Sequence, residues 1–150
     1  MTGAIVRPVA PEDRGDWEAC FRGYREFYRL EHRDEVIDTV WTWLMDPAHP
    51  TRGLAAEVGG RVVGIAHFRR FSRPIVGAEG LFLDDLFTLP QARGHGVGTA
   101  LLRRLAETAR DEGASLVRWI TAADNATARA LYDRVATQTP WVTYDLAAAE

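Results

Sequence analysis

The chain has 150 residues, the length of one ordinary domain, and its 47% hydrophobic and 26% charged residues are typical of a globular protein. Its net charge of −3 argues against nucleic acid or an anionic membrane as the main partner, because both attract basic surfaces. The single cysteine, Cys20, excludes an internal disulfide and a cysteine-rich zinc site, and no apolar run is long enough to span a membrane. We therefore expect a single domain over residues 1–150 in the cytoplasm.

The first half of the chain is predicted to form one strand, two helices and a hairpin. Trp17, Phe21, Tyr24 and Tyr28 recur at helical spacing after a helix-start signal at Pro11. The predicted bounds are strand 3–9, helix 11–30, helix 33–45, and strands 53–58 and 61–68 joined by a tight turn at Gly59-Gly60.

The second half is predicted to alternate strands and helices around a glycine-rich loop. Residues 69–77 are polar and predict a loop, and Pro90 ends the long strand that follows. The remaining predicted elements are strand 78–89, helix 99–112, strand 115–121, helix 125–135 and a closing strand 141–146. This order of elements predicts one mixed α/β domain.

The glycine-rich loop at residues 91–98 has the pattern of an anion-binding site. Gly94, Gly96 and Gly98 stand directly before a strongly patterned helix. The first amides of a helix have no intrahelical partners, and the helix dipole places partial positive charge there. Glycines let the backbone approach a phosphate closely, and Arg93 adds a planar cation suited to phosphate.

Two common phosphate ligands fit this loop poorly. A nucleoside triphosphate loop needs Gly-Lys followed by Ser or Thr, and the chain contains no lysine. A dinucleotide fingerprint needs the spacing G-x-G-x-x-G after the first strand, whereas this loop has G-x-G-x-G after a strand in mid-chain. Without further motifs, a purely structural turn remains an alternative.

Two motifs in the second half of the chain resemble those of the GNAT superfamily of N-acetyltransferases. Gln91, Gly94 and Gly96 match motif A, written Q/R-x-x-G-x-G/A. Asn125 and the pair Leu131-Tyr132 match motif B, in which an asparagine opens a helix. The resemblance looks closest to the branch of polyamine, histone and D-amino-acid acetyltransferases. It implies an α/β fold with a mixed, mostly antiparallel sheet of six to seven strands, four flanking helices, and a cleft where strands 4 and 5 splay apart.

The resemblance also implies acetyl-CoA as the cofactor. Backbone groups of three strand residues would bind the pantetheine arm: Leu86, Phe87 and Thr88. Amides of the loop and the helix start would bind the pyrophosphate: Arg93, Gly94, His95, Gly96, Val97, Gly98 and Thr99. Asn125 would contact the pantetheine or order the splay, and Tyr132 would face the sulfur.

Acetyl transfer to an amine requires two proton movements. A primary amine has a pKa of about 10.4, so it arrives protonated and must lose a proton before it attacks. By resemblance we predict Tyr132 as the acid, with a packed tyrosine as the alternative. The resemblance also favours Asp84 as the base, directly or through water, or as the anchor of the amine, whereas Asp85 matches a widely shared aspartate for which a structural role is the alternative. Strand alternation predicts the two aspartates on opposite faces. Glu79 is a weaker candidate for the base, and His67 is expected to be a half-buried strand residue.

The aromatic residues of the first predicted helix and the nearby carboxylates indicate which kind of amine accepts the acetyl group. The predicted substrate residues are Tyr24, Tyr28, Glu31, Asp84 and Asp85. Aromatic faces beside carboxylates suit a small cationic amine, such as a polyamine, a diamine or an amino acid. The alternatives are a core of aromatic residues with a solvated charged face, a protein or peptide acceptor, and a catalytically silent acyl-CoA-binding module. The sequence has no metal-ligand spacing, and relatives suggest a homodimer.

Overall fold

The structure, a computed structural model, describes residues 3–150. Its helices are α1 (Arg14–Phe27), α2 (Asp34–Met45), α3 (Val97–Asp111) and α4 (Ala126–Val135), and its strands are β1 (Ile5–Pro8), β2 (Arg52–Val58), β3 (Arg61–Arg73), β4 (Ala78–Thr88) and β5 (Val117–Arg118). The chain up to Ile120 forms one compact unit, and Thr121–Glu150 forms a second unit that contains α4. Within residues 3–150, no helix is long and apolar enough to cross a membrane.

One sheet with the strand order β1-β2-β3-β4-β5 is the framework of the first unit. Strands β1 to β4 pair antiparallel, and β5 pairs parallel to β4. The expected mixed, mostly antiparallel α/β fold is therefore confirmed. The expected count of six to seven strands is wrong, because the described residues form five.

Helices pack on both faces of this sheet. Ile65 of β3 joins Trp17 of α1 and Ile37 of α2 in one buried cluster. The neighbouring Gly64 faces the other way, where an added Cβ would lie 2.7 Å from a methyl group of Val97 in α3. Because successive strand residues point to opposite faces, α1 and α2 lie on one face and α3 lies on the other. We call the first of these the α1 face.

Helix α1 is shorter than the predicted helix, which runs to Leu30. The backbone of Arg29 takes a left-handed φ of +58°. The Arg29 amide donates to the carbonyl of Glu26 at 2.9 Å, and the Leu30 amide donates to that of Arg25 at 3.0 Å. These two hydrogen bonds satisfy carbonyls of the last turn of α1, and the helix ends there. Glycine usually occupies such a position, so an arginine there gives no signal in the sequence.

The predicted loop at residues 69–77 is wrong in its first part, because β3 continues to Arg73 and pairs with β4. The arginines that make this segment polar meet carboxylates on β4. Arg69 forms an ion pair with Asp84, and Arg70 donates a hydrogen bond to Glu79. A polar segment can therefore form a strand when its charged residues find partners on the neighbouring strand.

The predicted closing strand at residues 141–146 is also wrong. Residues 141–150 have no regular secondary structure, and Trp141 and Tyr144 are 76% and 89% exposed. The alternation of aromatic and β-branched residues there shows that the segment would fit a pleated, half-buried surface. Alternation becomes a strand only when a neighbouring strand supplies hydrogen bonds.

Candidate active site

A β-bulge in β4 sets the geometry of the candidate site. Asp85 pairs with His67 of β3, and Leu83 pairs with Phe68. Two steps along β4 therefore match one step along β3, and Asp84 is the extra residue. A bulge of this kind bends its strand and re-aims side chains.

Because of the bulge, both carboxylates face the α1 side. Asp85 Oδ2 lies 2.8 Å from Nδ1 of His67, whose ring packs edge-on against Phe21 of α1 with centroids 5.0 Å apart. Asp84 Oδ2 lies 3.1 Å from Nε of Arg69. Arg69 is two residues beyond His67 on β3, so the two share a face. The prediction that the aspartates lie on opposite faces is wrong.

The environment of Asp84 changes its proton affinity. Desolvation raises the pKa of Asp84 above the ordinary aspartate value, and the negative charge of Asp85 adds to this rise. The hydrogen bond and charge of Arg69 oppose it. The Asp84 side chain keeps 35% of its surface exposed, so water still reaches it. A partly desolvated carboxylate with a raised pKa is suited to accept a proton.

His67 lies between Trp17 and Asp85. Trp17 Nε1 donates to His67 Nε2 at 2.9 Å, and His67 Nδ1 lies 2.8 Å from Asp85 Oδ2. The expectation of a half-buried histidine is wrong, since His67 is 1% exposed. Its alternation with the core residue Ile65 was the available signal. Within residues 3–150, no group of three or more His, Cys, Asp or Glu side chains is arranged to hold a metal ion.

Of the predicted acceptor residues in and after α1, only some contact the carboxylates. The Tyr24 hydroxyl donates to the backbone carbonyl of Asp84 at 3.5 Å. The Tyr24 ring contacts Phe87 and Tyr28, with centroids 6.2 and 5.1 Å away. Glu31 is exposed in the segment after α1, and no described hydrogen bond or ion pair joins it to the aspartates.

The glycine-rich loop has the predicted anion-binding geometry. Gly94 and Gly96 have left-handed φ values of +82° and +78°, and Gly96 is the N-cap of α3. No side chain caps this helix, and its first turn holds no acidic residue. The Ala100 amide bonds to the Gly96 carbonyl at 3.0 Å. The amides of residues 97–99 precede this first bond of the helix, so they have no intrahelical partner.

The predicted loop residues occupy this helix start. Arg93, Gly94, His95 and Gly96 are exposed, and Val97, Gly98 and Thr99 form the first turn of α3. The Arg93 side chain, however, turns toward the end of β4. Its Nε donates to the Thr88 carbonyl at 2.9 Å, and its guanidinium carbon lies 5.0 Å from the Phe87 ring centroid.

Beyond its first residues, β4 has an open edge. Its parallel ladder with β5 joins only Leu81 to Val117 and Phe82 to Arg118. The predicted strand at 115–121 is therefore too long, and the ladder stops before the bulge bends β4. Among the described residues, no strand pairs with the β4 segment 83–88 on the side away from β3. This segment includes three predicted cofactor residues, which are Leu86, Phe87 and Thr88.

Two further predicted residues lie in the second unit. Asn125 is the N-cap of α4, and its side-chain oxygen accepts a hydrogen bond from the Ala128 amide at 3.4 Å. This cap explains why the helix begins directly after Asn125. Tyr132 lies in α4, and its carbonyl accepts a hydrogen bond from the Ala136 amide at 2.8 Å.

Comparison with known proteins identifies the family. Residues 17–136 match the model of the Acetyltransferase (GNAT) family. The chain belongs to the GNAT acetyltransferase family. It is 28% identical to the D-amino-acid N-acetyltransferase of Saccharomyces cerevisiae, over 93% of this chain and 88% of that protein. It is 36% identical to the thialysine N-epsilon-acetyltransferase of Caenorhabditis elegans, over 90% of this chain and 83% of that protein.

A solved structure supports the same fold. An aminoglycoside N-acetyltransferase in complex with CoA superposes with a TM-score of 0.84 at 15% identity, over 99% of this chain and 97% of that chain. The GNAT resemblance is thus confirmed. GNAT acetyltransferases use acetyl-CoA as the acetyl donor. The uncapped start of α3 suits a pyrophosphate, and the open β4 edge suits an amide-bearing arm, so the residues present fit this donor.

Two residues of the candidate site, Arg69 and Trp17, are not predicted from the sequence. Arg69 falls in a predicted loop, because residues 69–73 show no regular alternation of polar and apolar residues that would indicate the longer strand. The helical spacing of Trp17 predicts only a core aromatic residue. Its polar role is seen only in the structure, where its indole N–H donates to His67.

The raised pKa of Asp84 predicts how stability depends on pH. A group whose pKa is higher in the folded state binds its proton more tightly there, so its stabilising contribution is lost as the pH rises. The test is urea unfolding of both proteins from pH 3.5 to 7. The free energy of unfolding of Asp84→Asn, relative to that of the wild type, should increase as the pH rises.

The matched control is Asp16→Asn, because the hydrogen bond from Arg61 lowers the pKa of Asp16. This variant should lose stability relative to the wild type over the same pH range. A loss in Asp84→Asn like that in Asp16→Asn would show that the ion pair with Arg69 outweighs desolvation.

Proposed function

We propose that this protein transfers the acetyl group of acetyl-CoA to the primary amine of a small molecule, and that this molecule is an amino acid. The observation that carries the proposal is the bulge in β4, which places Asp84 and Asp85 on one face beside the cation Arg69. Acetyl-CoA supplies the activated acetyl thioester when it is bound. The amides of residues 93–99 would hold its pyrophosphate, and the backbone of residues 86–88 would bind the pantetheine arm.

Asp84 accepts the proton of the incoming ammonium group, directly or through a water molecule. Its raised pKa reduces the mismatch with an amine whose own pKa is about 10.4. As the C–N bond forms and the C–S bond breaks, Tyr132 would give its hydroxyl proton to the departing sulfur. The second proton of the ammonium group, released as the amide forms, would then return Tyr132 to its neutral form. The roles of Tyr132 and of Asn125 at the pantetheine rest on their match to motif B.

The charges around Asp84 favour an amino acid over a polyamine. An amino acid carries an ammonium group and a carboxylate, which complement the aspartate pair and the guanidinium of Arg69. A polyamine carries only cations, and a second ammonium group would oppose Arg69. Two relatives are named for the acetylation of amino acids, D-amino acids and thialysine. Tyr24 and Tyr28 add aromatic faces for the cation.

Three expectations from the sequence accompany this proposal. They are a cytoplasmic location, a single functional domain over residues 1–150, and a homodimer with Trp141 near its interface. A small-molecule acceptor without nucleic acid or membrane as partner agrees with the net charge of −3.

The proton roles predict how two conservative variants behave. Asp84→Asn should lower kcat by about 100-fold or more and remove the acidic limb of the pH–rate profile, because the base is lost. Tyr132→Phe should lower kcat much more than it raises the KM for acetyl-CoA. Steady-state thiol release measures both.

Two exposed residues provide matched controls for these variants. Asp38→Asn on α2 and Tyr144→Phe should keep the wild-type kcat, since Tyr144 is 89% exposed. An unchanged pH–rate profile in Asp84→Asn would remove Asp84 as the base, and wild-type turnover in Tyr132→Phe would remove Tyr132 as the acid.

A panel of amines tests the substrate class. We expect acetylation of D-amino acids, lysine and thialysine with higher kcat/KM than of spermidine or peptide termini. Arg69→Gln should reduce kcat/KM for the amino acids by about tenfold relative to that for the diamines, as expected for the loss of a hydrogen bond to a charged group. Its effect on the pKa of Asp84 is common to both classes of acceptor.

Arg110→Gln is the matched control, because Arg110 forms an exposed ion pair with Asp111 away from β4. Preference for peptides would instead indicate a protein acetyltransferase. Binding of acetyl-CoA without turnover of any amine would indicate a silent acyl-CoA-binding module.

A further inference from the structure

The buried chain of hydrogen bonds Trp17–His67–Asp85 joins three elements of the first unit. Trp17 comes from α1, His67 from β3 and Asp85 from β4. Trp17 and His67 are 0% and 1% exposed, and the two heavy-atom distances are 2.9 and 2.8 Å. Asp85 keeps 24% of its side chain exposed, so this chain leads from the core to the surface of the candidate site.

The direction of the first bond defines the state of the imidazole. An indole nitrogen can only donate, so Nε2 of His67 accepts from Trp17 and carries no proton. The ring proton is then on Nδ1, from which it is donated to Asp85 Oδ2. Both nitrogens are engaged, so His67 has no free lone pair with which to take a proton from an amine.

The surroundings of the ring favour this neutral tautomer. Trp17 and Phe21 of α1 contact the ring with their aromatic side chains. Cys20 belongs to the same core cluster, and burial raises the pKa of its thiol to about 12, so the thiol is uncharged. The charged groups toward β4 are Asp85 and Asp84, and Asp84 is itself paired with Arg69. A proton on Nε2 would place two N–H groups against each other.

From this geometry we propose that Trp17 and His67 are positioning residues that hold the Asp85 carboxylate in the orientation that binds the acceptor ammonium group. This inference rests on the proposed function and extends it to residues that touch neither substrate. The bulge places Asp85 directly after Asp84 on one face. Because a hydrogen bond from a fixed ring restrains Oδ2, rotation of the Asp85 carboxylate is limited, and Asp85 can anchor the amine while Asp84 accepts its proton.

The wild-type protein itself offers the first test. Long-range ¹H–¹⁵N correlation spectra of its imidazoles at neutral pH should show His67 with a protonated Nδ1 and an unprotonated Nε2. The spectrum of His67→Asn provides the assignment. A proton on Nε2 would overturn the proposal, whatever the activity of any variant.

Kinetics separate positioning from packing. Trp17→Phe keeps an aromatic ring and removes the donor, so we expect the KM for the acceptor amine to rise about tenfold while the KM for acetyl-CoA is unchanged. Trp43→Phe removes an indole N–H from a partly exposed tryptophan of α2 and should change neither value. Equal amine KM values in Trp17→Phe and wild type would overturn the proposal.

Two substitutions of His67 provide a second kinetic test, which does not depend on the folding of Trp17→Phe. His67→Asn keeps an N–H donor attached to Cγ, as Nδ1 is, whereas His67→Leu keeps none. We expect the amine KM to rise less in His67→Asn than in His67→Leu, and equal values would contradict positioning. Acetylation by a protein with Nε2–H would refute only this inference, and an Nδ1–H ring without acetylation of any amine would refute the proposed function.

Discussion

The extra residue in β4 is the constraint on which the rest of the site depends. Because β3 pairs with β4 both before and after Asp84, the strand cannot slip to absorb that residue. The bulge puts Asp84 and Asp85 on the α1 face together. The pairing of β4 with β5 stops at Phe82, before the bulge, and among the described residues no strand pairs with residues 83–88 on that side. The two carboxylates and this segment of β4 therefore lie next to each other, at the bulge.

Two adjacent carboxylates on a partly desolvated face are costly unless each has a partner. The structure gives them different partners. Asp84 forms an ion pair with Arg69. Asp85 instead is hydrogen-bonded to His67, whose ring accepts a hydrogen bond from Trp17. This asymmetry is the physical basis for the different tasks that we propose for the two aspartates, proton acceptance by Asp84 and anchoring of the amine by Asp85. It also places a cation beside the anions of the candidate site, which complements the amino-acid acceptor that we propose.

Local signals in the sequence were sufficient for much of this description. Helical spacing predicted α2 and α3, the pair Gly59-Gly60 predicted the hairpin turn, and Gly94 and Gly96 predicted the uncapped start of α3. The bulge at Asp84 could not be predicted, because it exists only in the register between two strands. The same holds for the continuation of β3 through residues 69–73, whose arginines become strand residues through their partners on β4. The segment 141–146 shows the converse, since strand propensity without a partner gives no strand.

The proposed role of Asp84 as the base depends on its proton affinity in the folded protein. The most direct measurement is a titration of its side-chain carboxyl ¹³C resonance by NMR, assigned with Asp84→Asn, in the protein without ligands. Desolvation and the charge of Asp85 predict a midpoint above the ordinary aspartate pKa of about 3.9. A midpoint at or below that value would mean that Arg69 controls the group. Asp84 would then be a structural ion-pair partner, and the proposed base of the acetyl transfer would be lost.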